Sequence, residues 1–487
     1  MVSNESAFAP TVDWSGELRT LAMRFGTACA IVDQYGNQLT YRALNTRAHD
    51  FAQNLLVRGI QHGEPIGTLL PNGLDTVVAS FGIRLAGAAE VPMSWGYTDG
   101  EIEWCARLSG FKHVFTLGSR TETLATLGLT PHVVSCDDSS LPPVPLKAIR
   151  ANAPSRILFT SGTTGRPKGV VYQHGPRWVG EQLLKASLPF TPQAGDRIVL
   201  MTPFPHGSSL MTYAWTAFGG EVVLLDGVDP EAVLQWLEPG KVDAIFAPPT
   251  VLAKLTDAFG KRQFGGVRCI FTGTQPLATG LYRRVCTMFG PVVRITYGKT
   301  ECVNPITWLE PSEVHRWFDV GNSDNDDVAT PAQGPSGACV GWPAPGVQIQ
   351  IAPLQADSVP GEGVDHADDG EILLRAVHMS SGLISEAGFI PHEPDGWHPT
   401  GDLGHFDCRG RLILTGRIAD VIKTGGYRVN PDEIESQLAD LANTGQICIT
   451  SVPSEYWGEI IVAVAEQAHE GWIDEVRERV AMLSRHK

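Results

Sequence analysis

The chain has 487 residues, with 37 Lys and Arg against 53 Asp and Glu, giving a formal charge of −16 and a pI near 5.3. That acidic balance argues against a protein whose main work is gripping a nucleic-acid backbone, because such domains carry a basic stripe. Hydrophobic residues at 43% and charged residues at 18% belong to a folded chain, not a disordered one. The length allows about two to four domains.

Nine cysteines lie scattered at positions 29, 105, 136, 269, 286, 302, 339, 408 and 448, with no C-x-x-C. The spacing suggests neither a disulfide framework nor a zinc site, so reduced thiols in a cytoplasmic protein are expected. The first ten residues are polar, carry Glu5 and have no apolar signal core behind them. No stretch approaches the roughly 20 apolar residues of a membrane span. A soluble protein with neither membrane nor nucleic-acid partner follows as the expectation.

A first helix is expected from Thr40, whose hydroxyl can cap it, through Leu44, Ala48, Phe51 and Leu55, which share one face. Short strand-like runs follow at Ile66–Leu70, His113–Leu117, Arg156–Thr160, Arg197–Met201, Glu221–Leu225, Asp243–Ala247, Arg268–Thr272 and Val292–Thr296. Most are separated by enough chain for a helical crossover. The rhythm predicts an α/β fold with largely parallel sheets buried on both faces.

After about Pro311 that rhythm breaks. Residues 321–337 and 353–370 are acidic and rich in Gly and Pro, so loops are expected there. Shorter, more antiparallel strands are expected at Val347–Ile351 and Glu371–Arg375. From about Ile418 a Gly-containing loop, a helix opened by Pro431 and a strand at Ile447–Val452 predict a small separate domain behind a short hinge.

The densest chemical signal is Thr160-Ser-Gly-Thr-Thr-Gly-Arg-Pro-Lys-Gly169, directly after a strand: four hydroxyls, three glycines and a lysine in ten residues. Glycines let the backbone approach a ligand closely, while hydroxyls and Lys168 can donate to phosphate oxygens. The spacing is not that of a Walker A loop, which needs G-x-x-x-x-G-K-[ST].

This segment resembles the phosphate-loop signature of the adenylate-forming ligases, the superfamily of acyl-CoA synthetases, peptide-synthetase adenylation domains and beetle luciferases. Thr296-Tyr-Gly-Lys-Thr-Glu301 resembles its Y-G-x-T-E motif, Thr400-Gly-Asp402 its T-G-D, and Gly416-Arg417 its G-R. Residues Lys423 to Glu435 resemble the loop and helix start of its C-terminal domain. The resemblance implies a large N-terminal domain, residues 1–416, of doubly wound mixed sheets with a small barrel-like β subdomain. A small mobile α+β lid, residues 417–487, would follow it.

The implied chemistry is attack of a carboxylate on the α-phosphorus of ATP. Two anions must meet, so the site needs Mg²⁺ and fixed donors where charge develops. The resemblance casts Glu301 as the Mg²⁺ ligand, and Thr300, Lys168 and the loop Thr160, Ser161, Gly162, Thr163, Thr164 and Gly165 around the phosphates. Asp402 would accept the ribose hydroxyls, with Arg417 beside it. Tyr297 and Gly298 would face adenine, framed by Gly273, Thr274, Gln275 and Pro276.

His206, after a strand and among prolines, either lines an acyl pocket, as the resemblance implies, or is structural. The same stretch has no aspartate to pair with an α-amine, so an amino-acid substrate is not expected, because a buried ammonium without a partner is costly. Trp178, Phe204, Tyr213, Trp215, Phe246 and Pro248 suggest either an apolar pocket for an aryl or alkyl acid or plain core.

Two departures from the family pattern stand out. Its hinge Asp or Lys is Ala419 here, followed by Asp420. Its C-terminal lysine, which reaches the α-phosphate, has no match before Lys487, so the lid is expected to be incomplete at its end and adenylation slow without that charge. The implied activity is acyl-AMP formation from a non-amino-acid carboxylic acid, then acyl transfer, with CoA the leading acceptor. An amine or a carrier-protein thiol are the alternatives for that step. From other classes come a nucleotide sensor without catalysis and a luciferase-like oxygenase.

Overall fold

The structure, a computed structural model, describes residues 10–134, 145–160, 167–319, 337–353, 369–393, 396–424, 427–429, 431–438, 441, 447–454, 458–465 and 471–481. The expected loops at 321–337 and 353–370 fall almost wholly outside these, as do Ser161, Gly162, Thr163, Thr164, Gly165 and Lys487.

The capped helix forms as its spacing requires. Tyr41–Val57 is helical, the Thr40 hydroxyl accepts from the Ala43 amide at 3.2 Å, and Leu44, Ala48, Phe51 and Leu55 are buried. Every strand-like run is a strand, with ends shifted by up to three residues, as in Pro65–Leu69, Ala244–Phe246 and Val293–Lys299. Strands with weaker patterns complete the sheets, among them Cys29–Asp33, Ala89–Met93 and Lys168–Gln173.

Two large sheets organise the chain. The first has eight strands and a parallel centre in which Pro65–Leu69 lies between Ala89–Met93 and His113–Thr116. Pro154–Thr160 joins this sheet beside Ala89–Met93 and turns back antiparallel into Lys168–Gln173. The second has thirteen strands, and its parallel run includes Arg197–Leu200, Ala244–Phe246, Cys269–Gly273 and Val293–Lys299. The antiparallel strands expected as a barrel-like unit continue this second sheet through Cys302–Leu309 and Ala338–Pro343. One apolar core joins Ile66 and Phe115 of the first sheet to Ile31, Leu200 and Leu224 of the second, with Leu44, Leu55 and Val77 from the helices packed among them.

The helix Leu74–Leu85 is buried on nearly every side, so its polar residues need partners. Ser80 donates to Glu90 at 2.8 Å, and the Arg84 guanidinium forks onto Glu181 at 2.7 and 3.1 Å. Arg84 is sandwiched between the rings of Tyr213 and Trp14, 3.9 and 4.2 Å from their centroids. At 4% and 2% side-chain exposure, Arg84 and Glu181 are poorly replaceable one at a time, because removing one partner strands a buried charge.

Beyond Arg417 the short turn Ile418–Asp420, carrying Ala419, leads to a separate four-stranded sheet. Its strands pack on the helices Pro431–Leu438 and Trp472–Ala481 around Ile422, Val429, Ile434, Leu438 and Ile449. These residues form a small apolar cluster of their own.

Candidate active site

In open α/β sheets, ligands bind outside the carboxyl ends of the strands. In the second sheet that edge carries the turn with His206 after Arg197–Leu200, and Ala247–Pro248 after Ala244–Phe246. Gly273–Pro276 and the tip Thr300–Glu301 follow the next two strands along. Four of the expected segments are thus brought to one edge by parallel pairing.

Gly273 pairs with Thr296 across neighbouring strands so closely that a Cβ would collide with the Thr296 carbonyl oxygen. The next residue, Thr274, takes φ +74°, the one left-handed non-glycine among the described residues. Such a conformation costs of order 1–3 kcal/mol and persists only where the surroundings enforce it. Thr274, Gln275 and Pro276 are exposed, as groups framing a ligand must be.

Lys299 pairs with Cys302, so Thr300 and Glu301 form a two-residue hairpin tip. Two contacts through backbone carbonyls pin it. The Tyr172 hydroxyl donates to the Thr300 oxygen at 2.6 Å, and the Ser380 amide to the Glu301 oxygen at 2.8 Å. Tyr172 stands on the strand that Lys168 opens, and Lys168 pairs with Thr160. The two ends of the phosphate-loop motif therefore meet as the base of a hairpin, and its second strand touches the Thr300–Glu301 tip.

Asp402 and Arg417 are register partners on adjacent strands, and Arg417 Nε lies 3.1 Å from Asp402 Oδ1. The other carboxylate oxygen accepts from the Tyr297 hydroxyl at 2.5 Å and from Lys299 Nζ at 3.1 Å. Lys299 also donates to the Thr400 carbonyl at 2.7 Å. With Asp402 only 5% exposed, this ring of donors is what makes a buried carboxylate tolerable. Burial, and then the Asp402 charge, push the Tyr297 phenol well above its ordinary range, so it stays a donor. Lys299 occupies the unassigned position of Y-G-K-T-E; sequence reasoning passed over it, although a cation inside a binding motif was the available signal.

The Glu301 carboxylate forms no hydrogen bond or ion pair with the described residues. His392 and His398 lie near it, their rings 4.9 Å apart, and burial lowers both below the usual histidine value while Glu301 opposes that shift. A carboxylate without a protein partner among the described residues is a hard oxygen ligand that suits a divalent cation. The described residues include no cluster of three or more metal-ligating side chains, so a cation here would take its remaining ligands from water and a bound phosphate.

His206 lies in a turn built against Phe246, because at Gly207 a Cβ would collide with that ring. The turn is held by Asn72, which donates to the Thr202 and Leu225 carbonyls at 2.9 and 2.8 Å and accepts from the Phe204 amide at 2.8 Å. The His206 ring keeps a side open to water, yet the protein crowding it lowers its pKa, with Arg156 adding to the effect. Of the aromatic residues that suggested a pocket, Tyr213 and Trp215 are core: Tyr213 bonds to Ser80 and Trp215 donates to the Asp196 carbonyl. Trp178 is on the surface, donating to Glu17 at 2.6 Å. Phe204 is buried against Tyr213, whereas Phe246, packed on the His206 turn at Gly207, and Pro248 are half-buried.

A buried carboxylate held by a phenol and two cations, a glutamate at a hairpin tip beyond the parallel strands, and a Gly- and Thr-rich motif whose hairpin touches that tip suit a nucleotide-binding α/β enzyme. More narrowly, the chain belongs to the AMP-binding enzyme family, whose model it matches over residues 18–384. Among curated proteins it is 26% identical to the 2-succinylbenzoate–CoA ligase of Listeria monocytogenes over 441 residues, 89% of this chain and 85% of that one. It is 28% identical to the 4-chlorobenzoate–CoA ligase of an Arthrobacter species over 461 residues, 90% of this chain and 82% of the relative. The fold is similar to that of o-succinylbenzoate CoA synthetase from Bacillus subtilis in complex with its acyl-adenylate intermediate. That match has a TM-score of 0.80 at 22% identity and covers 99% of this chain and 93% of the other. ATP-bound MatB from Rhodopseudomonas palustris matches with a TM-score of 0.79 at 24% identity, covering 97% and 93%. No helix among the described residues is long and apolar enough to cross a membrane.

Proposed function

We propose that this chain is an ATP-dependent ligase that joins a non-amino-acid carboxylic acid, aryl or alkyl, to CoA through an acyl-AMP. The observation that carries the reading is the Tyr297–Asp402–Lys299–Arg417 group beside the Thr300–Glu301 tip, in a chain similar to proteins named as CoA ligases.

In this reading a carboxylate oxygen of the acid attacks the α-phosphorus of ATP, the bond to the bridging oxygen breaks, and pyrophosphate leaves with the electron pair. The thiolate of CoA then attacks the acyl carbonyl, and AMP leaves. Asp402 accepts from the ribose hydroxyls and is oriented by its hydrogen bonds from Tyr297 and Lys299 and its ion pair with Arg417. Tyr297 lends the adenine a flat face with its hydroxyl tied down, and Thr274–Pro276 frame the base. Thr160 and Lys168, at the base of the hairpin, and Thr300 hold phosphate oxygens. Bound through Glu301, Mg²⁺ would offset the repulsion between the acid and the phosphates. His206, neutral near pH 7, borders the acid with Phe246. The turn Pro203–Ser209 carries no acidic residue, which disfavours an amino-acid substrate whose ammonium would be left unpartnered. Residues 417–487 act as a lid that moves about the turn at Ala419, and the protein works in the cytoplasm.

Product analysis by mass spectrometry tests the reading. The protein is given ATP, Mg²⁺ and a pool of aryl and alkyl acids, with CoA and a mixture of amines present together. An acyl-CoA peak is expected, and its mass names the acid. Amide without acyl-CoA, above a control lacking protein, would move the function to amide synthesis. Acyl-AMP alone would point to a carrier-protein thiol, and no acid-dependent AMP release would sink the enzymatic reading.

A further inference from the structure

The strand Pro154–Thr160 delivers more than the phosphate loop. Side chains two and four residues apart share a face of a strand, so Arg156 and Thr160 point to the same side. Arg156 is 2% exposed, and its NH2 group donates to the carbonyl of Pro205, at 3.2 Å, immediately before His206. Its charge is met by Glu90, the residue directly opposite in the parallel pairing with Ala89–Met93, at 3.6 Å. Glu90 is in turn fixed by the Ser80 hydroxyl at 2.8 Å, and Ser80 by the Tyr213 hydroxyl at 2.5 Å.

This is an expensive way to hold a turn. Arg156 Nε is buried without a hydrogen-bond partner among the described residues, so the guanidinium is incompletely satisfied. For stability alone, well-packed apolar side chains serve as well as a buried ion pair. What an apolar pair cannot do is reach across and bind a carbonyl on the other sheet. Arg156 belongs to the first sheet and Pro205 follows a strand of the second, so the bond spans the two layers. Asn72, in the loop that follows Pro65–Leu69 of the first sheet, holds the same turn further upstream at Thr202 and Phe204.

We propose that Arg156 is a positioning residue: through the Pro205 carbonyl it sets where His206 stands, and so couples the acid-binding end of the site to the strand that ends at Thr160. The inference rests on the proposed ligase function, in which the His206 turn borders the acid. Arg156 touches no reacting atom in this scheme. Its effect falls on the fit of the acid, with the nucleotide left in place.

Three variants test it: Arg156→Met, the double variant Arg156→Met/Glu90→Met, and Arg156→Lys. The double variant removes the stranded buried charge, so it folds even where the single one does not. Melting curves report folding, and initial rates of acid-dependent pyrophosphate release give kcat and the KM for acid and ATP separately. The KM for the acid is expected to rise about tenfold in the folded methionine variants, as for loss of a charged donor, with the KM for ATP changed less than about twofold. Arg156→Lys, which still offers a cationic donor, should recover part of the loss. A folded double variant with the acid KM of the unaltered protein would overturn the proposal, as would equal rises in both KM values. An unaltered protein that releases no pyrophosphate with any acid would overturn the ligase reading itself, and the proposal with it.

Discussion

The Tyr297 hydroxyl donates to Asp402 Oδ2 at 2.5 Å, joining residues 105 positions apart. The motif readings gave the two residues separate tasks, a flat face and a carboxylate. The bond makes them one unit, in which the angle of the ring is set by the acid and the acid is oriented by the ring. Lys299 and Arg417 complete the unit unequally. Lys299 has a 15% exposed side chain and is shielded from solvent, whereas Arg417 at 56% is screened and contributes more to direction than to energy.

Tyr297→Phe keeps the ring and removes the donor. Loss of a hydrogen bond to a buried charged group is worth about 1.5–3 kcal/mol, so the KM for ATP should rise by roughly tenfold or more with kcat less affected. Steady-state rates at varied ATP read it directly. A phenylalanine variant with unaltered ATP dependence would show that the hydroxyl merely satisfies Asp402 in the fold.

Glu301→Gln removes the carboxylate at the hairpin tip while leaving its backbone pinned by Tyr172 and Ser380. Turnover should fall by about 10²-fold, comparable to losing one electrostatic contact to the developing charge. The Mg²⁺ concentration for half-maximal rate should also rise. Titrating Mg²⁺ at saturating ATP separates the two effects, and an unchanged Mg²⁺ requirement would remove Glu301 from the metal site.

Thr274→Gly relieves the left-handed backbone at the carboxyl edge. Removal of that strain should stabilise the protein by about 1 kcal/mol, somewhat offset by glycine's greater unfolded-state freedom. Nucleotide binding should weaken as the segment loosens. Chemical denaturation and ATP titration together test this; a variant that is less stable and binds as before would show that the conformation carries no strain.

His174 supplies the pH dependence. It is fully buried, accepts from the Trp14 indole at 3.0 Å, and is pushed down to about 3, first by burial and then by the Arg177 charge. The unfolded chain binds a proton at His174 below about pH 6.5, and the folded one does not until about 3. Between those values the unfolded state carries the extra proton, so stability falls as pH falls, by up to about 1.4 kcal/mol per unit for one such group. His174→Gln, which can keep a neutral acceptor for Trp14, should show a shallower decline between pH 6 and about 4 than the unaltered protein. Denaturant midpoints across that range measure it, and parallel declines would rule His174 out as a source.

Much of this was legible without coordinates because it is local. A cap and a four-three-four spacing define the helix Tyr41–Val57, and β-branched runs mark strands, since both depend on residues within a turn or two of each other. The ordered motifs from Thr160 to Arg417 name most residues of the proposed site, because close backbone approach and donor-rich loops write themselves as Gly and Thr in short stretches. Less legible were the alternatives that periodicity leaves open. Tyr213 and Trp215 read equally as pocket or core, and only the packing sends them inward.

The partners of buried polar groups belong to the tertiary structure. Lys299 on Asp402, Tyr172 under Thr300, Asn72 and Arg156 on the His206 turn each join segments separated by about 50 to 130 residues. No spacing rule reaches that far. Their pairing follows from sheet order and register, which set Glu90 opposite Arg156 and Asp402 opposite Arg417. A buried charge must then bind whatever that closure brings within reach. The sequence thus specified the kind of chemistry and the strands that carry it, and long-range closure selected which side chains hold each other in place.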